Sequence, residues 1–482
     1  MSCQEKRRLI LHFDARNTLF VADKCYRLTV EEALNSYLTG LVWCEKIEAE
    51  SQENENFGEN GEIEVSDGIS QPHHHHHDPL VTSKPHSRHA DANGPDRPPK
   101  MQVLDEIKQN NGLIKPDDED SSEKPTSKLD AETDDQTHQS VRQPYRGENF
   151  QELTPDELRQ CQLNSTLWRC LPSSPCMRQP RPDAISIYKL LESQLVRKPA
   201  DRGRLRKYLG NFTQTPQGRP FLELFKKHLE ILRWPSEIVS DDQTNSHSKL
   251  TVVGKNKEHY HYLMPAFYRL ITWLIKTHRN FAILIRTYGC DGPHILNAID
   301  TYLQGHHPTE KMPGEEHKFK VDFSTWRLRR QDSDPKFTLF KDDGSAQPGP
   351  DAVTEQSGVY ETWSSWDCAT TVVDDFVYWQ SNHYMHSAAK PFWFDPKDNR
   401  VHHILFDDNI RFEDDGSNGI DLLRLTDSPN ESVRLPQEEA MKWENVYFVQ
   451  ADLLSIIRDK NYFIDRVQEC ENNLNKLQSQ AA

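Results

Sequence analysis

Leu9-Ile-Leu-His-Phe-Asp14-Ala-Arg16-Asn-Thr18 is the stretch that sets the fold class. A strand with one wet face alternates apolar and polar residues, whereas this one is almost continuously apolar up to its closing aspartate, as expected of a strand buried on both faces. Two later runs have the same form. They are Phe281-Ala-Ile-Leu-Ile-Arg286, followed by Thr287, and His403-Ile-Leu-Phe406, followed by Asp407 and Asp408. Helical periodicity flanks them: Leu263, Phe267, Leu270, Ile271 and Leu274 precede the second run, and Asp452 to Leu477 follows the third with Leu453, Ile456 and Ile457 on one face. Strands alternating with helices predict an α/β protein with a Rossmann-like parallel sheet covered on both sides. In such sheets ligands bind at the carboxyl ends of the strands, where all three runs place polar side chains.

Those side chains suit phosphoryl chemistry. A carboxylate at a strand tip can attack phosphorus, and a hydroxyl four residues later, Thr18, belongs to the cradle around it. Thr287, with Gly289 after it, offers a short hydroxyl at a helix start, where phosphate oxygens are bound. Asp407 and Asp408 beside Asp14 make an oxygen-rich set for Mg²⁺. Lys390, in Lys390-Pro-Phe-Trp, supplies a cation for the aspartates and for charge developing on a phosphoryl group, with Lys397 as its rival. A further Asp-Asp pair, in Val372-Val373-Asp374-Asp375-Phe376, reads as helical and is set aside.

The order strand-Asp-x-x-x-Thr, strand-Thr, Lys, strand-Asp-Asp resembles the haloacid dehalogenase (HAD) superfamily of phosphohydrolases, whose four motifs follow that sequence. The resemblance lies in three separated pieces of the chain. It implies Asp14 as nucleophile, Thr287 as the second-motif hydroxyl and Lys390 or Lys397 as the third motif. It also implies Mg²⁺ held by Asp14, Asp407, Asp408 and the backbone carbonyl of Arg16, and a phosphorylated small molecule as partner. One departure matters. Where family phosphatases carry a second aspartate as acid and base, two residues past the nucleophile, this chain has Arg16, which stays protonated and cannot do that work. Losing a positioned acid/base forfeits on the order of 10²–10⁴ in rate, so binding of metal and phosphate is expected ahead of efficient hydrolysis. A catalytically inactive HAD-fold scaffold is the alternative expectation. The Arg16 side chain has two readings, a phosphate contact or a solvent-facing loop residue.

Composition fills in the rest. The 482 residues carry 58 Lys+Arg against 75 Asp+Glu, a net charge of −17, which argues against nucleic acid as a partner. No apolar run approaches the roughly 18 residues needed to span a bilayer, and the first residues reach charge too early for a secretion signal. A soluble, cytoplasmic protein with no membrane partner is expected, and nine scattered cysteines read as free thiols. The reading by segment is as follows: 1–46 holds the first strand and helix of the core, and 47–152 is a disordered acidic, His-rich insertion. That insertion is a possible protein-docking surface, and its His73–His77 run reads as repeat expansion. Residues 153–240 form a helical module in the position of a cap, and 258–302 return to the core. Residues 303–389 form an aromatic-rich insertion with Trp326, Trp363, Trp366, Tyr378 and Trp379, soft from about 331 to 355, and 390–482 complete the core with the C-terminal helix.

Overall fold

The computed structural model describes residues 6–47, 153–161, 168–198, 201–235, 247–312, 317–333, 336–412 and 419–481. The acidic stretch from residue 48 to 152, with its His73–His77 run, lies outside the described residues. The chain is mixed α/β around a seven-stranded sheet. In chain order its strands are β1 (Arg8–Asp14), β2 (Phe281–Thr287), β3 (Lys320–Arg330), β4 (Phe337–Lys341), β5 (Cys368–Asp374), β6 (Val401–Asp407) and β7 (Phe448–Gln450). They lie side by side as β7-β6-β1-β2-β5-β3-β4, and every neighbouring pair is parallel except β3 with β4.

The three apolar runs are therefore neighbours at the centre of the sheet. Leu9 to Phe13 are fully buried, and each residue of β2 and β6 is buried, which is what strands covered on both faces require. Alternation divides them between two cores. Leu9, Leu11 and Phe13 pack with Ile283, Ile285, Phe267 and Phe463, whereas Ile10 packs with Ala282, Leu284, Trp363 and Trp393. The first core is covered by α1 (Val30–Leu41) together with α2 (Pro265–Lys276) and α3 (Tyr462–Ala481); the second is covered by the helix Gln356–Ser365, which carries Trp363. The start of α1 is fixed by a capping box, in which Thr29 Oγ1 accepts from Glu32 N while Glu32 accepts from Thr29 N. The C-terminal helical stretch is broken once, at Asp459–Asn461, between Leu453–Arg458 and α3.

Three expectations need correction. The stretch 303–389 is not set apart from the core: it supplies β3, β4 and β5 to the same sheet. Part of the supposedly soft region is β4, whose Phe337 and Leu339 are buried against Val359 and Trp363. Asp374 is not helical but ends β5. Asp375 beyond it accepts from Tyr378 N at 3.0 Å and caps the next helix, so one aspartate closes a strand and its neighbour opens a helix.

A second, smaller sheet is antiparallel. Its middle strand Trp43–Lys46 pairs with Trp168–Cys170 on one side and with Ile185–Ser186 on the other. The helices Ile187–Leu195, Asp201–Leu209 and Leu222–Leu232 follow it, and their apolar residues Ile187, Leu191, Leu205 and Phe225 join the first core. Among the described residues no helix is long and apolar enough to cross a membrane.

One charge pair is locked between the central strands. Arg286 on β2 donates from Nε to Asp374 at the end of β5 at 3.0 Å, both side chains have no solvent exposure, and a second Arg286 nitrogen reaches the Pro391 carbonyl at 2.9 Å. Removing one member strands the other charge in the interior, which costs about 3–5 kcal/mol. Asp374→Asn is therefore expected to lower stability by that amount in urea unfolding, with much of it recovered in the double variant Arg286→Met/Asp374→Leu.

His402 provides a pH test. It is fully buried, its Nε2 lies 2.7 Å from the Val446 carbonyl, and Nδ1 has no partner. Burial pushes its pKa down to about 4, only partly offset by the bond to Val446. Because the folded pKa is depressed, this contribution is complete above the unfolded value of about 6.5 and is lost as the pH falls towards 4; at pH 5 the loss is about 2 kcal/mol. The urea midpoint should decline over that window, and decline less in His402→Gln, which keeps a donor for Val446.

Candidate functional site

Because β6, β1 and β2 run parallel and in register, their last residues share one edge. Phe13 lies level with Phe406, and Asp14 with Arg286, so Asp14 ends between Asp407 and the start of the Thr287 turn. One carboxylate oxygen each from Asp14, Asp407 and Asp408 falls within 4.8 Å of the others. Lys390 completes the cluster. Its Nζ donates to Asp14 Oδ1 at 2.7 Å and to Asp407 Oδ2 at 2.8 Å, and it also lies 5.4 Å above the ring of Tyr288. The rival Lys397 is exposed and pairs with Asp427 at 2.9 Å, away from these aspartates. Lys390 begins the strand Lys390–Phe394, which pairs with Ile420–Leu425 and is tied to β2 by the bond from Arg286 to Pro391.

The loop after β1 folds back sharply. Asn17 adopts φ 62°, a left-handed conformation that asparagine tolerates better than most residues, and Asn17 Nδ2 donates to Asp408 Oδ2 at 3.1 Å. Asn409 braces the other side: its backbone N–H donates to Asp407 Oδ1 at 2.8 Å and its Nδ2 to Asp408 Oδ1 at 3.0 Å. Thr18 is fully buried in this loop and its Oγ1 has no hydrogen-bond partner. Thr287 is also buried, and its Oγ1 accepts from Gly289 N at 2.9 Å, which leaves its own proton to donate. Arg16 does not turn towards the aspartates: its guanidinium pairs with Asp23, which also receives Arg206 at 3.6 Å.

The electrostatics follow from burying three carboxyls with one ammonium. Burial first, and then the neighbouring Asp407, push Asp14 up to about 8 against the pull of Lys390. The same two causes raise Asp408 to about 6, opposed by Asn17, Arg16 and Arg411. Burial works against the charged form of Lys390, but Asp14 and Asp407 outweigh it and hold the ammonium well above its ordinary value. The cluster thus lacks positive charge. Carboxylate oxygens at this spacing fit one hard cation with metal–oxygen bonds of roughly 2.0–2.6 Å, and such a cation would relieve the mutual repulsion.

Beside Asp408 and Asn17 opens a cavity of about 220 Å³, walled by α1 on one side and by Met177, Ser186 and Tyr188 on the other. Of the residues anticipated from sequence, Asp14, Lys390, Asp407 and Asp408 converge; Thr18 and Thr287 lie at the same edge, and the Arg16 side chain points away. The bracing by Asn17 and Asn409 and the Arg286–Asp374 pair were not anticipated from the sequence. For Asp374 the signal was present: Thr370-Thr371-Val372-Val373 is a β-branched run closed by an aspartate, and β1 and β6 also end in aspartate. Of the aromatic residues, Trp363 is core, while Trp379 stacks on Tyr288 at 5.0 Å and so backs the ring beneath Lys390. Comparison of the chain with protein-family models, with curated proteins and with solved structures finds no match.

Lys390→Gln should expose how much this edge depends on one cation. Urea unfolding is expected to show a loss of about 3–5 kcal/mol, because buried Asp407 and half-buried Asp14 are left without a counter-charge. Millimolar divalent cation should restore part of it by binding the folded state alone.

Proposed function

We propose that the chain is a HAD-like protein that holds Mg²⁺ and a phosphorylated small molecule at the carboxyl edge of β1, β2 and β6. The observation that carries the reading is the convergence of Asp14, Lys390, Asp407 and Asp408 from strands scattered along the sequence. In this reading Asp14, Asp407, Asp408 and the Arg16 carbonyl would hold the cation, which would neutralise phosphoryl oxygens. Thr287 and the backbone amides after Asp14 would bind those oxygens, and Lys390 would orient the Asp14 carboxylate. Asp14 attacks phosphorus, forming an oxygen–phosphorus bond as the bond to the leaving oxygen breaks; that oxygen then needs a proton.

Nothing at position 16 provides it. The Arg16–Asp23 pair supports slow turnover, and it equally favours the second reading, a HAD-fold scaffold that binds without turning over. The two differ in one assay. With p-nitrophenyl phosphate, whose leaving group departs without a proton, and Mg²⁺, the enzyme reading expects a burst approaching one nitrophenolate per chain, then a slow steady state, because no base activates water against the acyl phosphate. Asp14→Asn should abolish the burst. Equal signals from wild type and Asp14→Asn would remove the enzyme reading and leave the scaffold.

A further inference from the structure

The cavity beside Asp408 has a charge pattern that phosphate and metal binding do not use. Four cationic side chains line it, Arg16, Lys189, Arg206 and Arg411, against two carboxylates, Asp23 and Asp408. Asp23 is committed to Arg16 and Arg206, and Arg206 also lies against the faces of Tyr26 and Tyr188, at 5.3 and 5.7 Å. Lys189 and Arg411 are different: among the described residues neither side chain has a hydrogen bond or an ion pair. They come from different elements. Lys189 comes from the helix Ile187–Leu195, and Arg411 from the loop that follows β6 and carries Asp408. Arg411 is near enough for its charge to act on Asp408 and on Tyr37, a residue of α1 that lines the same cavity.

Two uncommitted cations facing one small cavity are unusual in a chain whose net charge is −17, where a solvated surface offers acidic partners in excess. Their half-buried position strengthens attraction for an anion and disfavours a neutral ligand, since an unfilled cavity leaves both charges unpaired in partly dehydrated surroundings. Val21, Leu28, Leu41 and Met177 give the cavity apolar surface for a short carbon frame, and Asp408, which lines it, belongs to the same carboxylate cluster as Asp14.

We infer that the ligand is a small molecule with two separated anionic groups, a phosphoryl group at Asp14 and a second phosphate or carboxylate read by Lys189 and Arg411. This rests on the phosphate-binding reading above and names its substrate class. The test uses the full chain in Mg²⁺ and isothermal calorimetry with three ligands of equal carbon count: propyl phosphate, 3-phosphonooxypropanoate and propane-1,3-diyl bisphosphate. Both bifunctional ligands are expected to bind at least tenfold more tightly than propyl phosphate. That ratio should fall towards one in Lys189→Gln/Arg411→Gln and persist in Arg411→Lys, with folding of each variant checked by its urea midpoint. A larger gain for the bisphosphate assigns the second group as phosphate, and a larger gain for the carboxylate assigns it as carboxylate. If propyl phosphate binds as tightly as the other two, or the double variant keeps the ratio, the inference fails while the phosphate reading stands. If no ligand binds with Mg²⁺ present, the phosphate reading fails and takes this one with it.

Discussion

The Lys390 ammonium, held between Asp14 and Asp407, is the contact on which the rest of the site depends. A lysine almost without solvent exposure is unstable in the interior unless carboxylates meet it at close range. Two such carboxylates can meet it only if their strands run parallel, adjacent and level, which is the arrangement of β1 and β6. Parallel central strands in turn need both faces covered, and this accounts for the two separate cores on either side of β1. The lysine is placed by its own strand, and that strand is tethered through Pro391 to Arg286, whose charge is satisfied by Asp374. Four strand ends and two buried cations thus form one interlocking set, and the site inherits the rigidity of the sheet edge.

What could be read from the sequence, and what could not, has a physical boundary. Continuous apolar runs such as Leu9–Phe13 announce strands because few other structures bury every residue in succession, and the polar residue closing each run marks its carboxyl end. Beyond that point the sequence is silent about lateral order: β1 lies between β6 and β2, with β5 next, and only packing decides it. The stretch Asp374-Asp375-Phe376 misleads because two structures share it, a strand end and a helix cap. Phe337–Lys341 is too short to stand out from the polar residues around it, and it becomes a strand because the long β3 offers it a ladder. The choice between Lys390 and Lys397 is likewise tertiary, as both lie near the same proline-containing turn and only one faces inward. Arg16 was left with two readings, and its true partner, Asp23, matched neither.

If the proposed reading holds, the site has the balance of a binding centre more than of a fast catalyst. Its carboxylates are buried, braced by Asn17 and Asn409 and short of positive charge, which favours taking up a cation and an anion together. Its weak point is proton management: Arg16 is tied to Asp23, and no group at that position can cycle between acid and base. On the HAD-like reading proposed above, affinity and turnover are therefore separable, since the groups proposed to hold a phosphoryl ligand converge while position 16 carries an arginine.

The central position of β1 also bears on how the chain is made. Strand β1 is synthesised before either of its neighbours, and at ordinary elongation rates β2 follows only after roughly 15–50 s. During that time a largely apolar strand with two unpaired edges has no native partner to pair with, and β6 arrives later still. Nascent chains of this protein should therefore need shielding by chaperones until Phe281–Thr287 has emerged, and the long stretch between the two strands sets the length of that exposure.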